Sequence, residues 1–155
     1  MKRRSLLLST ALLPMAVAIA AKDSSKLPVV EVWKSPSCGC CKLWVEILER
    51  DGFVVKVFDT GNNAMRGKLR IPAALGSCHT ARVGGYAIEG HVPPADIRRL
   101  LREQPKAIGL AVPGMPIGSP GMDGPDYDNQ QDPYDVLLVQ ADGSTRVFNH
   151  YPGRK

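Results

Sequence analysis

The chain has 155 residues, 44% of them apolar, and a formal net charge of +5 at pH 7. This length and apolar content suit one domain with a hydrophobic core, and nothing indicates a second domain. Residues 1–20 carry three basic and no acidic side chains, so the remainder has a net charge near +2. Because that remainder has no cluster of Lys and Arg with interleaved aromatic residues, the composition argues against nucleic acid as a partner.

The N-terminus has the pattern of an export signal. Lys2-Arg3-Arg4 is followed by an apolar stretch that ends in small residues, which predicts a signal peptide over residues 1–20 with cleavage near Ala20. The apolar stretch is too short for an ordinary membrane span, so an uncleaved anchor is the minor alternative. The sequence therefore predicts a periplasmic protein without stable membrane association, with a linker over residues 21–28 and a single domain over residues 29–155.

Three cysteines, Cys38, Cys40 and Cys41, lie between a strand-like run and a helix-like run. Residues 29–34 are rich in β-branched and aromatic side chains, and residues 42–51 space their large apolar side chains at helical intervals. The cysteines are therefore predicted to begin a helix. The unpaired N–H groups and partial positive charge at a helix N-terminus favour thiolate over thiol, and thiolate is the form that binds metals and attacks disulfides.

Two alternatives explain the cysteines without a metal. In an exported chain four cysteines can form two structural disulfides, but Cys40 and Cys41 are adjacent, and a bridge inside this segment would close no long loop and stabilise little. A redox-active C-x-x-C pair, with Cys38 as nucleophile and Cys41 as resolving thiol, leaves Cys40 unexplained. The spacing favours a functional site over structural bridging.

The remaining pattern predicts a thioredoxin-like α/β domain. The predicted elements are a strand (29–34), a helix (42–51), a strand (53–58), a weak helix (64–70), a hairpin around Gly84-Gly85 and a helix (95–103). With Gly84-Gly85 as the turn, Cys78 faces His91, and His79 lies at the same end of the hairpin. In this fold the third strand begins beside the N-terminus of the first helix, so we expect Cys78 to lie next to the other three cysteines.

Residues 109–155 are predicted to form a C-terminal extension of the domain. The density of Pro and Gly from residue 109 to residue 122 predicts a loop. Met115 and Met122 lie in this loop, and their thioethers are either soft ligands for Cu(I) or apolar contacts that fix the loop. Asp142-Gly143 predicts a second hairpin, with His150 as a surface residue near its open end.

Four short motifs occur in order along the chain. They are Cys38-Gly39-Cys40-Cys41, Ser77-Cys78-His79-Thr80, Glu89-Gly90-His91-Val92-Pro93, and the stretch from Val112-Pro113-Gly114-Met115-Pro116 through Gly118-Ser119-Pro120-Gly121-Met122. Together they resemble the CopG-type periplasmic copper-resistance proteins, and the resemblance runs from about residue 29 to residue 150. It implies a thioredoxin-like domain with a C-terminal extension and a centre in which cysteine sulfurs bridge several copper ions.

The resemblance also implies a ligand set. The implied thiolates are Cys38, Cys40, Cys41 and Cys78, and the further candidate ligands are His79, His91, Met115 and Met122. Monovalent copper would relieve the repulsion between crowded thiolates. Zinc is the competing metal, because Cys with His also forms tetrahedral zinc sites. The two methionines and the adjacent Cys40-Cys41 pair favour copper.

Two classes of function follow. The first is a periplasmic copper-binding protein of copper resistance, expected to be a monomer, which holds Cu(I) or Cu(II) in a redox-active site with more than one copper ion per chain. Its expected partners are copper ions and other periplasmic copper-handling proteins. The alternative is an enzyme, a thiol-disulfide oxidoreductase that uses Cys38 and Cys41. A disulfide-stapled domain that binds another partner is a third possibility.

Overall fold

The computed structural model describes residues 27–154, which form a mixed seven-stranded β-sheet with helices packed on it. The strands are β1 (Val30–Lys34), β2 (Val55–Phe58), β3 (His79–Val83), β4 (Tyr86–Glu89), β5 (Gly109–Ala111), β6 (Tyr134–Val139) and β7 (Thr145–Tyr151). The helices are α1 (Gly39–Arg50), α2 (Asn63–Lys68) and α3 (Pro94–Glu103), with 3-10 turns at Ala73–Leu75 and Pro125–Tyr127. The predicted signal peptide and most of the predicted linker lie outside the described residues. Within residues 27–154 no helix is both long enough and apolar enough to cross a membrane.

The strand order in the sheet is β2-β1-β3-β4-β5-β6-β7. Strand β1 pairs in parallel with β2, and α1 supplies the crossover that a parallel pair requires. Strand β3 pairs antiparallel with β1 and with β4. The C-terminal part then continues the same sheet, with β5 parallel to β4, and with β6 and β7 each antiparallel to the strand before it.

The hairpin register predicted from Gly84-Gly85 is confirmed. Val83 pairs with Tyr86, and Thr80 pairs with Glu89. Because the register is right, the residues just outside the hairpin, Cys78 and His91, meet at its open end. The second hairpin, between β6 and β7, is also observed, and His150 is an exposed side chain on it, paired with Asp135.

The prediction of a loop from residue 109 onward is wrong at its start. Gly109–Ala111 forms β5, which is hydrogen-bonded between β4 and β6. The parallel contact with β4 is so close at Gly109 that a Cβ atom there would lie 1.7 Å from the carbonyl oxygen of Ala87. Glycine therefore permits this strand pairing, and a local count of Gly and Pro does not detect it.

Helices α1 and α3 cover one face of the sheet. Trp44 and Leu48 of α1, and Ile97 and Leu100 of α3, have no exposed surface. Burial of each such side chain contributes about 1.5–3 kcal/mol to stability. The residues of a smaller apolar cluster on the opposite face are Ile71, Ala87, Ala111 and Val139. This packing places the N-terminus of α1, the start of β3 and the end of β4 at one end of the sheet.

We predict that Gly109→Ala lowers the free energy of unfolding by about 3 kcal/mol, because the new methyl group would overlap the β4 backbone. Urea unfolding followed by circular dichroism measures this change. Gly67→Ala is the matched control. Gly67 lies in α2 with ordinary backbone angles and open space around its Cα, so the control should be neutral or stabilising by up to about 1 kcal/mol. Equal unfolding midpoints for the two variants would contradict the close β4–β5 contact.

Candidate metal centre

The cysteine segment begins α1, as predicted. Cys38 is the N-cap residue in an extended conformation, and Cys40 and Cys41 lie in the first helical turn, which begins at Gly39. The backbone N–H of Cys38 donates to the carbonyl oxygen of Ser35 at 3.1 Å, which closes the turn between β1 and the helix. The three sulfurs therefore lie at the positive end of the helix dipole, where negative charge on sulfur is stabilised.

Cys38 and Cys41 are joined by a disulfide, whereas Cys40 and Cys78 are free thiols. This is the pairing of the C-x-x-C alternative. The sulfur atoms of all four cysteines lie within 4.8 Å of one another. A disulfide offers no thiolate, so the oxidised protein has two thiols at this place. Reduction by two electrons and two protons raises the number of thiols to four.

Cys78 connects the cysteine segment to two histidines. Its sulfur lies 3.8 Å from the sulfur of Cys40, 3.1 Å from Nε2 of His91 and 3.4 Å from Nδ1 of His79. The residues therefore form two groups with metal-ligating atoms close together, and Cys78 belongs to both groups. The first group holds four cysteine sulfurs, and the second holds one cysteine sulfur and two imidazoles.

Both histidines are completely buried. Nδ1 of His91 donates to the carbonyl oxygen of Pro120 at 2.8 Å, which leaves Nε2 with its lone pair toward Cys78. The ring of His79 packs on Trp44 at 4.3 Å between ring centroids. Nε2 of His79 is buried and has no hydrogen-bond partner among residues 27–154. An orphaned buried nitrogen is costly, and a metal ion is one partner that would satisfy it.

Burial changes the protonation of this group. Burial, followed by the charge of the nearby Cys40, raises the pKa of the Cys78 thiol to about 12. Burial lowers the pKa of His91, and it lowers the pKa of His79 well below its ordinary value, with a further contribution from His91. At neutral pH both imidazoles are therefore neutral and have a free lone pair. Cys78 stays a thiol until a cation replaces its proton.

The two methionines have different surroundings. The sulfur of Met115 lies 4.0 Å from the sulfur of Cys40, and half of the Met115 side chain is exposed. The sulfur of Met122 accepts a hydrogen bond from the Tyr127 hydroxyl at 3.4 Å. The structure thus brings Met115 to the cysteines and gives the sulfur of Met122 a different neighbour.

The loop that carries both methionines lies directly on the first turn of α1. At Gly121, whose φ is +86°, a Cβ atom would lie 2.7 Å from the carbonyl oxygen of Cys40 and 2.9 Å from the backbone nitrogen of Trp44. The absence of a side chain at this position allows the close approach. The C-terminal extension therefore forms one wall of the candidate centre.

Sequence reasoning missed a polar network beneath Cys78. Glu89 is completely buried and accepts hydrogen bonds from Thr80, from the backbone N–H of Ser77 and from Arg66. The one feature of the sequence that could have indicated this network is Glu89 itself, an ionisable residue at the end of a short strand whose other residues are apolar or aromatic. In a half-exposed strand the same residue would be an ordinary surface carboxylate, so the pattern alone does not identify the network.

One family model matches part of the chain. The sequence model of a family described as "Protein of unknown function, DUF411" matches residues 75–122, the stretch that contains Cys78, both histidines and both methionines. No curated protein matches the chain.

Two solved structures are similar to this chain. The structure titled "Copper resistance protein copG- Form 1" is 42% identical, with a TM-score of 0.75, and the match covers 83% of this chain and all of that one. The structure of Form 2 is 42% identical, with a TM-score of 0.74, and the match covers 82% and 99% of the two chains. With this identity over the full length of a solved relative, the chain belongs to the CopG family of copper resistance proteins.

Proposed function

We propose that this protein binds copper at the four-cysteine group and acts in copper resistance. The observation that carries the proposal is that two separate segments bring four cysteine sulfurs within 4.8 Å of one another. The 42% identity to structures named as copper resistance proteins supports copper as the metal. Two imidazole nitrogens beside the shared Cys78 also support a metal at this place, because Nδ1 of His79 and Nε2 of His91 lie 3.4 Å and 3.1 Å from its sulfur.

The donor types fit monovalent copper. In the reduced protein Cys38, Cys40, Cys41 and Cys78 would supply thiolates, and a thiolate has enough lone pairs to bridge two ions. We therefore propose more than one copper ion per chain. The further candidate ligands are His79, His91, Met115 and Met122. Of the two thioethers Met115 is the stronger candidate, because its sulfur is near Cys40, whereas that of Met122 is hydrogen-bonded to Tyr127.

Copper suits the donor set better than zinc. A closed tetrahedral zinc site takes one sulfur or nitrogen from each of four ligands around a single ion. Here Cys40 and Cys41 are adjacent, and a soft thioether lies beside Cys40. Thioether and thiolate together select Cu(I) over harder ions.

The Cys38–Cys41 disulfide supports a redox component. Opening it takes two electrons and two protons and raises the number of thiols from two to four. Copper changes by one electron between Cu(I) and Cu(II), so oxidation of two Cu(I) ions would supply the two electrons that open one disulfide. The same disulfide supports the alternative function, a thiol-disulfide oxidoreductase in which Cys38 is the nucleophile and Cys41 the resolving thiol.

The proposed location is the periplasm, reached through the signal peptide predicted over residues 1–20. An oxidising compartment is where a disulfide such as Cys38–Cys41 persists. There the protein would act as a monomer with copper ions and other periplasmic copper-handling proteins. Export of the full chain, with cleavage near Ala20, is measured by N-terminal sequencing of protein recovered from the periplasm.

We predict that the reduced protein binds more than one Cu(I) per chain, because four thiolates are then available. Titration under anaerobic conditions against a chromophoric Cu(I) chelator measures the stoichiometry. The disulfide form of the same preparation is the matched control, and it should bind at most about one Cu(I), because two thiols remain.

Equal copper uptake by the reduced and disulfide forms would contradict the four-thiolate proposal. Insulin reduction is also assayed with the metal-free native protein and with its Cys40→Ser and Cys78→Ser variants. Strong turnover that survives both substitutions, together with no copper binding, would favour the oxidoreductase alternative, because Cys38 and Cys41 alone would then explain the activity.

Removal of each thioether tests the assignment of Met115. We predict that Met115→Leu weakens Cu(I) affinity about tenfold, which corresponds to about 1.4 kcal/mol. Met122→Leu is the matched control, with the same change in the same loop, and should leave the affinity within about twofold of the native value. A larger loss with Met122→Leu than with Met115→Leu would reverse the assignment of the two thioethers.

The raised pKa of Cys78 predicts its reactivity in the metal-free protein. Because alkylation requires thiolate, the rate at which Cys78 reacts with iodoacetamide should still rise beyond pH 9.0, the ordinary thiol value. Mass spectrometry of tryptic peptides follows Cys78 separately from Cys40. A rate for Cys78 that levels off near pH 9.0 would show that the thiol is not buried as described.

A further inference from the structure

Ser77, the residue before Cys78, is held by hydrogen bonds on both sides of its backbone. Its N–H donates to Oε1 of Glu89 at 2.7 Å. Its carbonyl oxygen accepts from Nη2 of Arg66 at 2.6 Å and from Nδ2 of Asn62 at 3.1 Å. This carbonyl belongs to the peptide that joins Ser77 to Cys78. The orientation of that peptide determines where the Cys78 side chain begins.

Glu89 and Arg66 form the centre of this arrangement. The Arg66 guanidinium reaches Oε1 of Glu89 with Nε at 2.8 Å and the Ser77 carbonyl with Nη2, so one side chain joins the two groups. The other carboxylate oxygen accepts from the Thr80 hydroxyl at 2.6 Å. Because both oxygens of Glu89 are occupied and the side chain is completely buried, it is not placed to bind a metal itself. Its influence on the centre passes through Ser77.

The Ser77 side chain extends the contact to the loop that carries Met115. Its hydroxyl donates to the carbonyl oxygen of Gly114, and the backbone N–H of Gly114 donates to the carbonyl oxygen of Gly76 at 3.2 Å. Gly114 directly precedes Met115. The segment before Cys78 and the segment before Met115 are therefore fixed to each other, while both sulfurs lie about 4 Å from the sulfur of Cys40.

We propose that Glu89 and Arg66 are positioning residues for the copper centre, and that they fix the placement of Cys78 and Met115 relative to Cys40 by holding Ser77. The inference rests on the proposed function. Sulfur ligands bind best when their positions are set before the metal arrives, so looser placement of two ligands lowers affinity even when every ligand is present. The pair therefore affects the affinity of the site for copper, although it lies outside the ligand set.

Arg66→Lys tests the proposal. Lysine keeps the positive charge that the buried Glu89 requires, but it lacks the planar fork that reaches Glu89 and the Ser77 carbonyl together. Arg82→Lys is the matched control, because Arg82 of β3 binds Glu31 of β1 through two nitrogens and makes no hydrogen bond to Ser77. If Arg66→Lys does not fold, the double variant Arg66→Met with Glu89→Gln is tested in its place, because it removes both buried charges together.

The metal-free readout is amide hydrogen exchange by NMR. In Arg66→Lys we expect exchange at Ser77 and Gly114 to become at least about tenfold faster, while core amides of β1 keep their native rates. In Arg82→Lys exchange at Ser77 should be unchanged. Native exchange at Ser77 in Arg66→Lys and in the double variant would overturn the proposal, because the pair would then not hold this backbone.

The copper readout is Cu(I) affinity, measured with and without Met115→Leu. In the native background Met115→Leu should cost about tenfold. In the Arg66→Lys background we expect the affinity already to be lower by about tenfold, with less than about twofold further loss from Met115→Leu, because coupled residues are not additive. Full additivity, or native affinity in Arg66→Lys, would overturn the proposal. A native protein that binds no Cu(I) would instead refute the proposed function itself, and the exchange measurement separates that outcome.

Discussion

The antiparallel pairing of β1 with β3 is the contact on which the candidate centre depends. It sets Lys34 opposite His79 at the end of the sheet where α1 begins. The cysteine segment follows Lys34, and Cys78 directly precedes His79, so one register brings together residues that are 38 positions apart. A shift of one residue would turn the His79 side chain to the other face of the sheet and separate the sulfurs. The geometry of the centre is therefore a property of the whole sheet, and the buried face under α1 and α3 protects it.

Burial determines the protonation of these candidate ligands. The imidazoles of His79 and His91 are kept neutral and Cys78 is kept protonated, so these three side chains carry no charge in the metal-free protein at neutral pH. A cation that displaces the Cys78 proton binds the resulting thiolate and neutralises its charge, which would be costly if it were buried without a partner. The disulfide between Cys38 and Cys41 adds a second control, because it determines how many sulfurs are available. Protonation and oxidation thus both limit the charge of a site that would otherwise hold four thiolates.

The sequence was sufficient to predict the fold and the site wherever a local pattern, such as a turn, determines a long-range contact. Gly84-Gly85 predicts the hairpin register that the structure shows, and that register places Cys78 opposite His91. It was insufficient for β5, because three residues beginning with glycine form a strand only through contacts with β4 and β6. It did not distinguish Met115 from Met122, since loop conformation decides which sulfur approaches Cys40. The Glu89 network was also missed, because its partners, Arg66 of α2, Ser77 just before β3 and Thr80 in β3, meet Glu89 only in the folded chain.

Copper K-edge X-ray absorption of the reduced protein after loading with Cu(I) tests directly whether cysteine sulfurs bridge copper ions at this centre. We expect a first coordination shell dominated by sulfur, together with copper–copper scattering, because thiolates that lie within 4.8 Å of one another would bridge neighbouring ions. The scattering should disappear in Cys78→Ser, which removes the sulfur shared with the two histidines. A single copper with a shell of nitrogen and oxygen, unchanged by that substitution, would contradict a cysteine-bridged centre.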